Sequence, residues 1–151
     1  MEALTGDILD YLKRHNTMVL TTAAENLPHA APLFFASSGF TLYFLSDPAT
    51  RHSGNLVDNP LVSVVVTEDY QQWRDIKGIQ LEGKAEKVTG GLEKAKGMAV
   101  YLKKFPFVTD FLQSKDFRET AAKVQLYKIT PTTIWFLDNA QGFSHRKRLS
   151  L

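Results

Sequence analysis

Thr17 to Ser46 reads "TMVLTTAAENLPHAAPLFFASSGFTLYFLS". Three runs rich in β-branched and aromatic residues, "TMVLTTA", "PHAAPLFFA" and "FTLYFLS", are separated only by "ENLP" and "SSG". Runs of that composition favour strands, and the separators have the length and residues of hairpin turns. Parallel neighbours would need a long crossover, usually a helix, between each pair of strands. Strands that follow one another this closely pair antiparallel, so the segment predicts a mainly β fold, an antiparallel barrel with a few helices.

The flanking sequence extends this reading. Residues 3–14 place Leu4, Ile8, Leu9 and Leu12 on one helical stripe, with Thr5 or Asp7 near the start and Asn16 near the stop. A short helix follows Arg51 and is closed by Asn59-Pro60, because proline disfavours helical geometry in the residue before it. "LVSVVVTED" reads as a strand and "DYQQWRD" as a loop. In the strand "IKGIQLEGKAEKV", Ile79, Leu81 and Ala85 alternate with polar neighbours and Gly83 marks a bulge or a bend. Residues 91–104 predict a helix with Leu92, Ala95, Ala99 and Leu102 on its apolar face, and residues 107–119 a further helical piece. "VQLYKIT" and "TTIWFLD" read as two strands separated by Pro131, followed by a solvated basic tail.

The length of 151 residues suits one domain spanning 1–151, with no repeat or linker. A chain of this size buries roughly 70% of its unfolded surface. There is no cysteine, which excludes disulfides, thiolate metal sites and cysteine nucleophiles and suits a reducing compartment. The 18 Lys and Arg against 16 Asp and Glu leave a net charge of +2, too little for a general polyanion-binding field. The N-terminus lacks the apolar core of a secretory signal, and no run approaches the ~20 apolar residues of a membrane span. The expected location is the cytoplasm.

The stretch "LSDPATRHSGNL", Leu45 to Leu56, concentrates polar chemistry where a strand hands over to a helix. Either Asp47 caps a helix with Pro48 in its first turn, or Thr50 caps one beginning at Arg51. Both arrangements put free backbone N–H groups beside hydroxyls and a guanidinium, a set that can grip phosphate. The plainer alternative is a capped helix start with Arg51 in solvent. An apolar, aromatic strand ending in such groups suits a flat ligand with a phosphate tail.

In order and spacing, "VLTTAAENLPHAAPLFF", "LYFLS", "ATRHSGNLVDNP" and "WRDIKGIQLEGKAEKV" resemble the pyridoxamine 5'-phosphate oxidase-like FMN-binding split barrels. The resemblance implies a six- to seven-stranded antiparallel split barrel of Greek-key type. It implies that Thr50 and Arg51 hold the FMN phosphate, with His52 where relatives often carry lysine, and that Ser46 binds phosphate or ribityl. Ala31 and Leu45 would line the flavin, and Gln80 is a further contact. It also implies a homodimer with FMN at the subunit interface, covered by the partner's C-terminal region, here Trp135, His145 and Arg146; on residue type alone, Trp135 reads as core. The implied activity is redox chemistry on a small molecule. The Arg-x-His element and C-terminal signature of the true oxidases are not matched, so pyridoxamine phosphate oxidase activity is not implied. A flavin, deazaflavin or haem binding module without turnover is the alternative.

Other chemistries have less support. His15, His29, His52 and His145 are scattered without metal-ligand spacing, so no metal is expected. His29 could hydrogen-bond a flavin or simply cap its strand. No Gly-x-Ser-x-Gly elbow is present. A single-stranded nucleic-acid barrel could use "YLKKFPF" and "HRKR", but the near-neutral charge argues against it.

Overall fold

The computed structural model describes the backbone of residues 1–151 and every side chain except that of Asp116. Glu25 and Asn26 both adopt left-handed backbone angles, φ 53° and 62°, and close the hairpin between β1 (Thr17–Ala24) and β2 (Leu27–Phe34). Two successive left-handed residues match the right-handed twist of the flanking strands. A second hairpin joins β3 (Ala36–Ser38) to β4 (Thr41–Ser46), with Gly39 at φ 57°. The remaining strands are β5 (Leu61–Thr67), β6 (Lys77–Lys87), β7 (Gln125–Asp138) and β8 (Arg146–Ser150).

All pairings are antiparallel, in the order β2-β1-β5-β6-β7-β4-β3, with β8 also on β7. The seven-stranded path is the expected split barrel, and the adjacent pairs β1–β5 and β7–β4 are its Greek-key connections. The eighth strand is a correction. "HRKR" is not a solvated tail, because Arg146 to Ser150 pair with Leu137 to Thr133.

Strand β7 is also continuous, not broken at Pro131. Its register against β6 shifts between Glu82 and Gly83, and Gly83 stands opposite Pro131. Proline cannot donate to a ladder, so it is tolerated where a bulge already interrupts the bonding. A Cβ on Gly83 would lie 2.4 Å from the Thr130 carbonyl oxygen and 2.9 Å from Pro131 Cα. The bulge therefore requires glycine.

The inner face of the sheet carries the main core, with Leu20, Phe44, Val64, Ile79, Leu81, Ile129 and Ile134 buried. Each such side chain contributes about 1.5–3 kcal/mol through burial. Helix α1 (Glu2–Arg14) adds Ile8, Tyr11 and Leu12. Neither Thr5 nor Asp7 caps it; Met1 is the N-cap and makes no side-chain bond there. Its C-terminal carbonyls, Leu12 O and His15 O, instead accept bonds from Lys104 Nζ, which also sits 4.4 Å from the Phe35 ring centroid. Burial pushes that ammonium down to about 8, so it remains charged at neutral pH.

Helix α2 (Arg51–Asp58) is closed at Asn59 as the sequence predicts. Helix α3 (Gly91–Lys104) presents a different face from the predicted one. Leu92 is 73% exposed, Ala95 and Ala99 face solvent, and Gly97 with Tyr101 meets the sheet. A Cβ on Gly97 would fall 2.7 Å from Leu126 Cδ2 and 2.8 Å from Tyr43 Cε1, so the helix approaches closest where it has no side chain. The single piece predicted over 107–119 is two helices, α4 (Phe107–Gln113) and α5 (Arg118–Lys123), joined by a 3₁₀ turn.

On the outer face the register lines up Pro32, Val19, Val65, Gln80, Trp135 and Arg148 across six strands. Val19 and Val65 are 41% and 40% exposed.

Two glycines separate backbone need from incidental use. Gly83→Ala should destabilise by at least about 2 kcal/mol through overpacking at the bulge. Gly54→Ala, where an added Cβ meets nothing within 4 Å, should stabilise by about 0.5–1 kcal/mol because alanine favours the helix. Urea denaturation of both variants beside the parent chain checks the opposite signs.

Candidate functional site

Thr50 is the N-cap of α2: its Oγ1 accepts a bond from Ser53 N at 3.3 Å. Asp47 supports the turn before it, accepting from Ala49 N at 2.8 Å through Oδ1. Of the two start sites the sequence allows, the helix uses Thr50.

Behind the cap, four side chains share one network. Ser46, buried at the end of β4, has its Oγ 2.7 Å from His52 Nε2, 3.2 Å from Thr50 Oγ1 and 3.1 Å from Ser53 Oγ, which donates to it. Thr50 Oγ1 lies 2.8 Å from Ser53 Oγ and 2.9 Å from the Asp47 carbonyl oxygen, and its single proton serves one of the two at a time. The ring of His52 is turned inward and only 7% exposed. Burial lowers its pKa, and His29 pushes in the same direction. His52 is therefore neutral at pH 7 and takes part as a hydrogen-bonding ring rather than as a charge. Asn55 Nδ2 donates to Thr22 Oγ1 at 3.0 Å and Asn59 Nδ2 to Ala23 O at 3.0 Å, which ties α2 to β1.

Arg51 is exposed and, among the described residues, its guanidinium makes no hydrogen bond or ion pair. The N–H groups of the first helical turn lack helical partners by construction. Such a donor set, with hydroxyls and one free guanidinium, fits a phosphate group. Ala31 and Leu45 stand nearby in the chain order of the site but use their side chains for packing. Ala31 points to the inner face opposite Leu20, and Leu45 packs against the clusters that contain Tyr43 and Tyr101. Their backbones are what remains for a ligand.

The other predicted residues assemble separately, on the outer face. Gln80, Trp135 and Arg146 line a cavity of about 410 Å³ together with Ser63, Val65 and Glu82. Arg146 Nη1 donates to Gln80 Oε1 at 3.5 Å and Nη2 to Ser144 Oγ at 3.0 Å. Trp135 is half-buried, not core as its residue type predicts. It sits on the solvent side of β7, and the Arg148 guanidinium lies 5.9 Å from its ring. His145 is half-buried, with an Nε2 that is buried and unpaired among the described atoms. No residue lines both this cavity and the hydroxyl network.

Sequence reasoning passed over Ser53, Thr22, Asn55 and Arg148. Ser53 had a usable signal in the Thr50-x-x-Ser53 spacing, which places it one turn from the cap. Thr22 and Asn55 had none, because their contact depends on how α2 lies across β1.

The profile of the pyridoxamine 5'-phosphate oxidase family matches residues 4–138. The chain belongs to that family. A solved putative pyridoxamine 5'-phosphate oxidase from Listeria innocua is 25% identical, with a TM-score of 0.71 over 89% of this chain and 98% of its own. An FAD-binding protein from Mesorhizobium loti shares the fold at 22% identity and TM-score 0.68, over 85% of this chain and 89% of its own. A haem-binding protein from Mycobacterium smegmatis does so at 16% identity and TM-score 0.72, over 90% of this chain; the chain spans about half its length, 53%.

The buried neutral histidine has a pH consequence. Its folded pKa lies below the ordinary 6.5, so below that pH the unfolded chain binds more protons and stability falls as pH falls. Above it, the full stability is present. The Tm should drop on acidification from pH 7 toward 5, and the slope should be shallower in His52→Gln. Calorimetry on both proteins over that range checks it; parallel slopes would mean that His52 charges freely in the fold.

Proposed function

We propose that this member of the family is a flavin-dependent oxidoreductase acting as a homodimer on a small molecule. The flavin mononucleotide unit of its cofactor binds with its phosphate at Ser46, Thr50 and Arg51. The observation that carries this reading is the exposed, unpaired Arg51 guanidinium beside a hydroxyl network at the end of an aromatic strand. One structural neighbour binds FAD, so the fold accommodates a flavin nucleotide.

Bound flavin supplies hydride or electron transfer, and the protein supplies binding, orientation and exclusion of water. Arg51 pairs with phosphate oxygens through its fork of donors. Thr50 and Ser46 order the turn that aims those donors, and Ser53 holds Ser46 in place. His52 fixes Ser46 without adding charge. The backbone at Ala31 and Leu45 borders the ring system. No side chain of this network is required as an acid or base.

The outer row through Val19, Val65 and Gln80 supports dimerisation. It is an apolar centre with polar neighbours, the composition of a subunit contact. The second copy would bring the partner subunit's Trp135 and Arg146 toward the cofactor. We propose that the whole chain is one flavin-binding domain that works in the cytoplasm, which suits a protein without cysteine.

The test is an absorbance spectrum after incubation with FMN or with FAD and removal of the excess. A two-band flavin spectrum retained at about one per chain is expected, and Arg51→Ala should weaken retention by about ten-fold or more, the loss of a charge-assisted contact. A chain left colourless by both nucleotides, or Arg51→Ala with unchanged affinity, would overturn the phosphate assignment. Reduction of the bound flavin by NADH or NADPH separates an enzyme from a flavin store.

A further inference from the structure

Three lysines gather around one cavity that the flavin reading leaves unused. It measures about 400 Å³ and is lined by Lys13 near the end of α1, Val100, Lys103 and Lys104 on α3, and Ala36 and Ser37 on β3. That volume lies within the range of ligand pockets, ~300–1,000 Å³. It shares no residue with the hydroxyl network around Ser46 or with the outer cavity at Gln80.

The three cations differ in freedom. Lys104 is held in place: its Nζ donates to Leu12 O at 3.4 Å and to His15 O, and the Phe35 and Phe105 ring centroids lie 4.4 Å and 5.5 Å away. Those partners are neutral. Among the described residues no carboxylate balances this half-buried charge, and burial pushes its pKa down to about 8. Lys13 and Lys103 are exposed and, among the described residues, also make no ion pair. Their flexible four-carbon stems let both ammoniums swing over the cavity.

The groups packed around Lys104 do not offset this charge. Asp10, one turn before Lys13, is paired with Arg14 at 2.7 Å. The His15 ring is turned away, stacked on Tyr11 at 3.8 Å with its Nε2 3.5 Å from Glu68 Oε1. Tyr101 stays a neutral phenol, its pKa pushed up to about 12 by burial, and Asp110 on α4 is exposed. Strand β3 contributes the half-buried Ser37 hydroxyl, which makes no hydrogen bond among the described residues.

A cleft lined by one sign of charge on low-dielectric walls concentrates the field and collects the opposite charge. The floor here is apolar: Ala36 and Val100 belong to the cluster built on Tyr101 and Phe105. An inorganic anion would use only the lysines, and an uncharged molecule only the floor. We infer that this cavity binds a small organic carboxylate, its head held by Lys13, Lys103, Lys104 and the Ser37 hydroxyl and its apolar body laid on Ala36 and Val100. The site is separate from the flavin site, and failure of either reading leaves the other standing.

Titration calorimetry of the full chain at pH 7 tests this with benzoate, its uncharged counterpart benzyl alcohol, and inorganic phosphate. Benzoate should saturate about one site per chain and bind at least about ten-fold more tightly than either of the others, the worth of one charge-assisted contact or of one buried apolar group. The double variant Lys13→Gln/Lys103→Gln changes two exposed residues, so it should fold and retain flavin as the parent does, yet bind benzoate about ten-fold more weakly or worse. A bound anion favours the charged form of Lys104. Binding at pH 8 should therefore take up part of a proton, read by repeating the titration in two buffers of different ionisation heat, and affinity should fall from pH 7 to 9. Benzoate binding no tighter than benzyl alcohol, phosphate binding as tightly as benzoate, an unaltered double variant, or saturation without proton uptake would each overturn the inference.

Discussion

The long β6–β7 ladder holds the rest of the protein in place. It runs from Lys77–Asp138 to Lys87–Tyr127 and is interrupted once, where Gly83 meets Thr130 and Pro131. A bulge sharpens strand twist and bends the bulged strand. That bend lets one sheet curl enough for Leu81 and Ile134 to share a core with Leu20 and Phe44. The same ladder fixes the outer face, because the register that buries Ile79 and Leu81 turns Gln80 outward opposite Trp135. The core and the outer cavity are therefore two sides of one alternation.

The hydroxyl network follows from how β4 ends. Ser46 is the last residue of that strand and Thr50 the cap of the next helix, so a short turn folds one toward the other. Burying several hydroxyls and an imidazole is tolerable only when they satisfy each other. Ser53 and His52 complete that satisfaction. Arg51 is left as the exposed cation of this turn as a result, beside hydroxyls that are neutral and bonded to one another.

Much of this was legible in the sequence, for physical reasons that differ between elements. The hairpins announced themselves because β-branched runs and turn residues act locally, and the helix start did so because capping needs a specific side chain, although Asp47 and Thr50 both met that need. The break assumed at Pro131 failed because Thr132 forms a bulge in β7 opposite Glu82 and Gly83, and that register depends on the partner strand, a long-range fact. The face of α3 failed because leucine and alanine periodicity signals apolarity but not the close approach that Gly97 permits. Trp135 was misplaced for the same kind of reason: residue type favours burial, and only the register against Gln80 decides the side of the sheet. In the site, Ser46, Thr50 and Arg51 could be grouped from proximity in the chain. The inward turn of His52 could not, because it depends on the packing beneath α2.

The close approach of Gly97 also orders events along the chain's path to the native state. The surface that receives α3 is built from Tyr43 on β4 and Leu126 on β7, strands that lie on opposite sides of the helix in sequence. Until those strands pair, the helix has no platform, however readily its own turns form. Docking of α3 is thus conditional on a contact that spans more than half the chain, and closing such a loop is slow. The helix acts as a late latch on the β4–β7 seam, and its arrival commits the two halves of the sheet to each other.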